Sequence, residues 1–356
     1  MPTHRIIRHI LLAALLAVGG VASARAQAVV NAVNSFDQLT RNYNLITFGN
    51  ASLTQYGDTE GPIAVRGNLF LDGGSIAEQP QKFGVTSDPT LYVGGQLTMR
   101  NTVHLQSGFA SLPNLTGNWT WDAVQERLVG GGGTLSTSNT SHPLGNTNPR
   151  NNPGPQNWNW NSLQLGLVAV SNTLLNATAT GQISVSNNTL RFSAPTSQTS
   201  GVVVYTLDMN MLSGNRYNGQ SFSNIGVDVP ANMNYIINVI NAGGRTLFGT
   251  GSGINFNNGS GYERLLWNIA PTTGQVYLGN GGQFYGSVLA PNVDLNNTGN
   301  TAITGQIVAR SYDHANAELH YLGFSSAVVP EPSTYGMILL GGGGAVLAFV
   351  RWRRRK

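Results

Sequence analysis

Short apolar runs closed by glycine, and repeated at a near-constant interval, constrain the fold of this chain most. Residues 286–292 read GSVLAPN, and residues 305–311, 19 positions later, read GQIVARS. Residues 65–69 (VRGNL) recur in weaker form 28 positions later, as VGGQL at residues 93–97. A Gly-x-apolar-apolar-Ala unit repeated every ~20 residues is typical of one coil of a solenoid, with Gly and Asn at the corners. We therefore predict a mainly β protein with a right-handed β-solenoid, or β-helix-like, domain; a β-sandwich built from similar hairpins is the alternative.

Two segments, residues 35–46 and residues 118–128, space their apolar residues at helical intervals. We predict a short packed helix for each, with Trp121 in the core. Residues 130–160 lack periodicity and are rich in Asn, Pro and Gly, which predicts a long flexible loop or an insertion. Other short apolar runs predict strands, at residues 165–170, 182–185, 202–207, 235–240, 265–269 and 275–278.

The N-terminus has the three parts of a secretory signal peptide. Arg5 and Arg8 precede an apolar stretch from residue 10 to residue 21, and small residues follow it. The A-x-A pattern allows cleavage after Ala24 or after Ala26, and we favour Ala26. Residues 1–26 are therefore predicted to leave during export through the Sec translocon.

The C-terminus carries a second signal, in residues 328–356. The triplet Pro330, Glu331 and Pro332 precedes an uncharged apolar run at residues 335–350. As a helix this run would be about 24 Å long, at the short edge of a membrane span. A basic cluster ends the chain, formed by Arg351, Arg353, Arg354, Arg355 and Lys356. Such a cluster holds a C-terminus on the cytoplasmic side.

The order and spacing of these C-terminal features resemble the PEP-CTERM sorting signal of Gram-negative bacteria. The resemblance implies transient anchoring in the inner membrane, recognition by an exosortase, and removal of the apolar helix. The protein would then be released, or attached at the outer surface or in the extracellular matrix. An ordinary C-terminal anchor helix is the alternative.

Removing both ends reverses the sign of the net charge. The full chain carries +4, but 8 of its 19 Lys and Arg lie in the two terminal signals. The remaining 11 face 14 of the 15 Asp and Glu, a net charge of about −3. No basic stripe survives, which argues against a nucleic-acid partner. The chain has no cysteine, so the exported fold is held without disulfides.

The body of the chain also resembles a known family. Residues 264–321 contain the segments LLWNIAP, GGQFYGSVLAPNVDL, TGQIVARS and AELHY, and residues 47–53 (TFGNASL) and 61–69 (GPIAVRGNL) belong with them. Together these resemble the choice-of-anchor A family over most of residues 43–324. The resemblance implies an adhesive surface domain, residues 27–327 here, joined to an interchangeable sorting tail.

Four side chains near the last predicted strands are of metal-binding types, those of Asp313, His314, Glu318 and His320. Strand alternation would place Glu318 and His320 on one face. A polar strand edge accounts for the same residues without a metal. We therefore expect no metal and no other cofactor.

Aromatic residues are candidates for ligand contacts, and acidic residues are candidates for catalysts. Trp158 and Trp160 alternate as on a strand and are candidate carbohydrate contacts. Acidic residues such as Asp58 and Glu60 are scattered, although a glycoside hydrolase needs a pair of facing carboxylates. Nucleophile elbows and phosphate loops do not occur in the sequence. We predict no catalytic residue.

The leading hypothesis is a non-enzymatic exported protein of the cell surface or matrix, an adhesin or an exopolysaccharide-associated structural protein. An ice-binding-like surface protein is the first alternative, because the 286–311 repeat resembles the coils of bacterial ice-binding β-helices. Thr298, Thr301 and Thr304 are too irregular to form the flat threonine ladder that it needs. A polysaccharide-active β-helix enzyme, with two carboxylates facing each other across a groove, is the second alternative.

Overall fold

The computed structural model describes residues 24–40, 42–55, 57–84, 87–138, 140–156, 158–247, 255–256, 259–279, 281–297 and 299–326. The predicted signal peptide, except for its last three residues, and the predicted sorting segment at 328–356 lie outside these ranges. The candidate cleavage positions Ala24 and Ala26 lie in the first turns of a helix.

The described residues form three α-helices, α1 over residues 24–40, α2 over Pro80–Phe83 and α3 over Trp160–Leu175, with 3-10 turns at Pro149–Asn151 and Tyr262–Arg264. The remaining regular structure is β, in short strands. They are β1 Leu45–Thr47, β2 Ala51–Thr54, β3 Asp58–Thr59, β4 Ile63–Val65, β5 Leu69–Asp72, β6 Ser75–Ile76, β7 Leu91–Val93, β8 Leu97–Leu105, β9 Ala110–Ser111, β10 Thr120–Asp122, β11 Arg127–Gly130, β12 Gly133–Ser136, β13 Gln182–Ser186, β14 Thr189–Ser193, β15 Gly201–Asp208, β16 Arg216–Tyr217, β17 Gln220–Ser221, β18 Asn224–Val227, β19 Met233–Ile240, β20 Asn255–Phe256, β21 Leu265–Ile269, β22 Val276–Tyr277, β23 Gln283–Tyr285, β24 Ser287–Asn297, β25 Ala302–Thr304, β26 Ile307–Ala315 and β27 Leu319–His320.

These strands stack into three parallel ladders, so that one turn of the chain passes over three faces. The first face runs through β15, β19, β21, β24, β26, β1, β4, β7 and β9. The second face runs through β22, the second halves of β24 and β26, β2, β5 and the start of β8. The third face runs through β23, β25, β27, β3, β6 and the end of β8. This parallel stacking is the architecture of a β-solenoid, since a β-sandwich is built from antiparallel sheets.

The predicted repeats are neighbouring coils. Residues 288–290 pair with 307–309, and residues 63–65 pair with 91–93. The order of the coils differs from the order of the chain. Strand β26, near the C-terminus, lies between β24 on one side and β1 on the other. The last coil, residues 307–320, therefore joins the C-terminal coils to the N-terminal coils, and we call it the closing coil.

Side chains that point inward from all three ladders form the core. On the second face the row Leu295, Tyr312, Ala51, Leu69 and Leu97 is buried. On the third face an inward row runs through Phe284, Ile303, Leu319, Thr59, Ile76 and Leu105. Each of these residues is at most 2% exposed, so the interior is packed along this row.

Additional β structure lies at one end of the stack and along its side. At one end β12 pairs with β8 and continues into the antiparallel strands β11 and β10, which covers the terminal strand of the solenoid and keeps it from pairing with other chains. In a smaller sheet, β14, β18 and β20 pair in parallel and precede β15, β19 and β21, and β13 is its antiparallel edge. Phe192 of this sheet packs on Tyr205 and Trp267.

The structure corrects three sequence-based predictions. Residues 118–128 are not a helix but the β10–β11 hairpin, in which Trp121 lies opposite Leu128. Trp121 and Leu128 are seven residues apart, a spacing that fits one face of a helix and also two facing positions of an antiparallel hairpin. Residues 165–170 lie inside α3 and are not a strand. The helix predicted at 35–46 is wrong in its second half, because α1 ends at residue 40 and β1 begins at Leu45.

Other predictions agree with the structure. Strands β13, β15, β19, β21 and β22 fall within or overlap the runs predicted for them. The segment 130–160, predicted as a flexible loop or insertion, contains β12 and the 3-10 turn Pro149–Asn151, and its flexibility stays a prediction. Trp121 is partly buried against the core, as predicted.

Candidate binding faces

Helices α1 and α3 cover the first face. One outward row is apolar, and its members Val204, Ile236 and Leu266 are each at most 3% exposed. They belong to one buried cluster with Leu163, Leu167, Val170 and Leu174 of α3, and with Phe36 of α1. The strands of this ladder are therefore buried on both sides, which removes the first face as a binding surface.

A buried polar network attaches α3 to the first face. Asn268 Nδ2 donates to the Ser171 carbonyl oxygen (3.1 Å) and to Asn238 Oδ1 (2.8 Å). Ser171 Oγ donates to Asn268 Oδ1 (2.7 Å), and Asn238 Nδ2 donates to the Leu174 carbonyl oxygen (2.6 Å). Helix α3 starts at an N-cap, where Asn159 Oδ1 accepts from the Ser162 amide (3.0 Å).

Trp158 and Trp160, the predicted carbohydrate contacts, lie beside these helices. The Trp158 ring is 4.7 Å from that of Tyr43 and 5.1 Å from that of Trp160. Trp160 stacks on Tyr92 at 5.5 Å. Both indoles are partly buried against the cluster of the first face. Their contacts hold the start of α3 on the coils, and a carbohydrate contact stays a prediction.

The second face is open along a row of outward side chains from successive strands. In ladder order the row is Tyr277, Asn296, Asp313, Ser52, Phe70 and Thr98. Tyr277 is 37% exposed, Thr98 is exposed, and the other four are half-buried. With strands ~4.8 Å apart, this row extends over about 24 Å.

Polar contacts fix several side chains on and beside this row. Gln275 Nε2 donates to Asp313 Oδ2 (3.3 Å). Arg310 donates from Nε to Asp294 Oδ1 (2.7 Å), and Ser311 Oγ donates to the same oxygen (2.6 Å). The Arg310 guanidinium holds the pKa of Asp294 below its usual value. The second face is therefore a rigid sheet with aromatic, amide, hydroxyl and carboxylate groups at fixed spacing.

The third face gathers carboxylates that are scattered in the sequence. Glu60 Oε1 accepts from Gln79 Nε2 (2.8 Å) and contacts His320 Nδ1 (3.2 Å). Glu60 Oε2 accepts from Lys82 Nζ (2.5 Å) and from the Tyr321 amide (2.8 Å). Burial raises the pKa of Glu60, but these hydrogen bonds outweigh it and the net shift is downward. With both oxygens occupied, Glu60 acts as a structural bridge among the first N-terminal coil, α2 and the closing coil.

Asp58 lies near Glu60, but its pKa is shifted in the opposite direction. Burial, a hydrogen bond with Glu78 and the nearby charges of Glu78, Glu318 and Glu60 raise the pKa of Asp58 to about 8. The raised pKa favours the protonated form of Asp58, since burial and the neighbouring carboxylates disfavour a further negative charge. The Lys82 ammonium and the His320 ring are both engaged with Glu60.

The four residues predicted as weak metal candidates lie in three different places. Asp313 is on the second face, and Glu318 and His320 are on the third, with His320 Nε2 3.5 Å from Glu318 Oε2. His314 is 1% exposed and points into the core. Its Nε2–H donates to the Ala317 carbonyl oxygen (2.8 Å), and Nδ1 lies 3.0 Å from the Tyr312 hydroxyl. Among the described residues, no group of three or more His, Asp or Glu has metal-binding geometry.

Comparison of the chain with known protein families identifies the domain. A family model described as "Putative Ice-binding-like adhesive domain" matches residues 36–321. The chain belongs to this family. A second model, the PEP-CTERM protein-sorting motif, matches residues 328–356 and contains Pro330, Glu331 and Pro332. The name choice-of-anchor A stays a prediction, while the adhesive domain and the sorting motif are confirmed.

Several solved ice-binding proteins resemble the domain distantly. One is an ice-binding protein from an Arctic yeast, at 10% identity and TM-score 0.36, over 83% of this chain and 95% of that chain. Another is the DUF3494 domain of Shewanella frigidimarina ice-binding protein 1, at 15% identity and TM-score 0.39, over 80% and 95%. A third comes from the Antarctic ascomycete Antarctomyces psychrotrophicus, at 10% identity and TM-score 0.32, over 80% and 96%. No curated protein sequence matches the chain.

The sorting motif indicates export to the cell surface of a Gram-negative bacterium. The predicted apolar helix at 335–350 lies outside the described residues, and none of the helices inside them is long and apolar enough to span a membrane.

Sequence reasoning missed the row on the second face. The alternation within the LFLD run already indicated that Leu69 and Leu71 point inward and Phe70 outward. What it could not show is that Phe70 shares a face with Tyr277, which is more than 200 residues away in sequence.

Proposed function

We propose that the protein is a non-enzymatic adhesin of the choice-of-anchor A type, whose second face binds exopolysaccharide at the cell surface. Export through the Sec translocon and processing by an exosortase would bring it there. The sorting motif supports this route, and the match to an adhesive domain family supports the role.

The row on the second face is the observation that carries the proposal. Tyr277 and Phe70 supply ring surface at two positions of the row, and Asn296, Asp313 and Ser52 lie between them. Sugars have apolar ring faces and polar edges, so they bind where aromatic and hydrogen-bonding groups alternate. A long polysaccharide could contact several positions at once and bind by multivalency.

Rigidity favours this use of the face. The groups of the row stand on paired strands over a packed core, so binding orders little of the protein. Asp313 and Asp294 are additionally held by Gln275 and Arg310.

Tyr277→Ala tests the proposal directly. We expect about tenfold weaker binding of the mature protein to exopolysaccharide from the producing cells, equivalent to ~1.4 kcal/mol. The control is Leu165→Ala, which removes an even more exposed apolar side chain (70% exposed, against 37% for Tyr277) from α3 on the helical side. Sedimentation with purified polysaccharide measures both. Equal affinity of the two variants would reject the second face as the binding surface.

Ice binding is the second candidate, because the family is ice-binding-like and the row includes hydroxyls at Ser52 and Thr98. The hydroxyls alternate with rings, an amide and a carboxylate, so they do not repeat at every strand. We expect no thermal hysteresis and no inhibition of ice recrystallisation. Activity in either assay that is lost in Thr98→Ala would instead support ice binding.

A further inference from the structure

The residues just before the sorting segment are fixed on the domain. Ser326 donates to Asp37 Oδ2 of α1 from its amide (3.1 Å) and from its hydroxyl (2.7 Å). Just before it, the Phe324 ring packs edge-on against Phe36 at 5.1 Å. The Ser325 amide donates to the Glu263 carbonyl oxygen (2.7 Å). The sorting segment therefore begins two residues after a point that is bonded to α1.

This exit point lies at the edge where the third face meets the first. The chain leaves the third face after β27, where the Tyr321 amide donates to Glu60 (2.8 Å). It then reaches the first face, where the Phe324 amide donates to Gln306 Oε1 (2.8 Å). In a coil with three faces, the edge shared by the third and first faces is opposite the second face.

The connection to the predicted membrane segment is short. Eight residues lie between Ser326 and position 335, and a fully extended chain spans at most about 32 Å over these nine steps. The first-face ladder, with strands ~4.8 Å apart, is about 38 Å long. The tether is therefore shorter than the domain.

The two helices next to the exit carry little charge, and the nearby Arg66 donates to Asn161 and Gln164 of α3. Helix α3 contains no charged residue, and α1 contains Arg25 and Asp37, the latter bonded to Ser326. Such a surface can approach lipid head groups with little desolvation of charge. The second face bears Asp313 and Asp294 instead.

We propose that, while the C-terminal segment holds the chain in the membrane, the helical side of the domain lies toward the bilayer and the second face points away from it. This orientation rests on the proposed export and anchoring. It presents the proposed binding row outward before the exosortase releases the protein.

Cysteine labelling tests the orientation, because the chain has no cysteine of its own. The single variants are Gln38→Cys on α1, Leu165→Cys on α3 and Thr98→Cys on the second face, all at exposed positions. Spheroplasts of a strain without exosortase activity keep the anchored form, and a membrane-impermeant maleimide is the probe. The labelling rate of each cysteine in the anchored protein is divided by its labelling rate in the released, soluble form of the same variant.

We expect the normalised rates at Gln38→Cys and Leu165→Cys to be at least fivefold below that at Thr98→Cys. Adding Asp37→Ala should raise the rate at Gln38→Cys toward that at Thr98→Cys, while thermal melting verifies that the domain is folded. Equal rates in the anchored protein, or a slower rate at Thr98→Cys, would overturn the orientation. Absence of the protein from the membrane fraction would overturn the anchoring and the orientation together, whereas loss of polysaccharide binding alone would leave the labelling result standing.

Discussion

Three glycines stack at the corner between the first and second faces. The Gly67 amide donates to the Gly49 carbonyl oxygen (3.0 Å), and the Gly95 amide donates to that of Gly67 (2.9 Å). A Cβ on Gly67 would lie 2.6 Å from the Gly49 carbonyl. The glycines that suggested a solenoid are required because neighbouring backbones approach so closely.

Gly67→Ala should therefore lower the free energy of unfolding by about 1–3 kcal/mol, the usual penalty of overpacking. Gly166→Ala is the control, since an added Cβ in α3 would meet only Leu39 Cδ1 at 3.5 Å. In the middle of a helix it should stabilise by about 0.5–1 kcal/mol. Urea unfolding measures both, and a change of the same sign in the two variants would contradict the steric explanation.

His314 makes stability depend on pH. Burial lowers the pKa of this histidine from 6.5 to about 4. Between these values the unfolded chain binds a proton that the folded chain does not, so stability is retained above pH 6.5 and lost as pH falls toward 4. The loss amounts to about 3 kcal/mol.

His314→Gln should lower the free energy of unfolding at pH 7. It should also make that free energy depend less on pH between pH 6.5 and pH 4. His104→Gln, at an exposed position on the third face, should leave that dependence unchanged. Urea unfolding at several pH values measures how steeply the free energy of unfolding changes with pH in each variant. If His314→Gln showed the same slope as the wild-type protein, other groups would cause the acid sensitivity.

At the scale of elements, the attachment of α3 decides which face stays open. Its apolar positions Leu163, Leu167, Val170 and Leu174 recur at helical spacing, and Asn159 caps the first turn. Both signals are present in the sequence, but Trp158 and Trp160 just before the helix also fit a strand. Packing of α3 on the apolar outer row of the first face decided the outcome.

Asn268→Ala should destabilise the protein by about 2–3 kcal/mol, because it leaves Asn238 Oδ1 and the Ser171 groups without their buried partner. Asn172→Ala, at an exposed position of the same helix, should be neutral or slightly stabilising. Chemical denaturation measures the free energy of unfolding of both variants. An equal loss of stability in the two would show that apolar packing alone holds α3 on the first face.

At the scale of the whole molecule, the closing coil joins the two halves of the solenoid. Its strand β26 pairs with β24 on one side and with β1 and β2 on the other. The N-terminal coils therefore complete their ladders only after nearly the whole domain has been made.

A chain that ends at Gly305 lacks β26 and should lose cooperative unfolding and aggregate, because the edges of β24 and β1 become unpaired. A chain that ends at Ser326 keeps the exit contacts and should melt like the mature protein. Circular dichroism and size-exclusion chromatography compare them. A folded monomer from the shorter chain would show that the closing coil is dispensable.

Processing at both ends can be read from the mature protein. We expect mass spectrometry of surface-released material to find Gln27 at the N-terminus and no residue of the basic cluster 351–356 at the C-terminus. Loss of that cluster would leave the mildly acidic body derived from the composition. An intact Lys356 on released protein would contradict processing by an exosortase.

The sequence by itself predicted many of the short strands and the C-terminal sorting motif. Glycine-closed apolar runs predict short strands in stacked coils, because turns and alternation are encoded by neighbouring residues. The two terminal signals are likewise contiguous. Tertiary structure alone decided what depends on distant pairing: the insertion of β26 beside β1, the burial of the first face under α1 and α3, and the gathering of Glu60, Lys82 and His320. It also aligned Tyr277 with Phe70 through parallel ladders, since alternation tells which side a residue faces but only strand pairing tells which residues share that side.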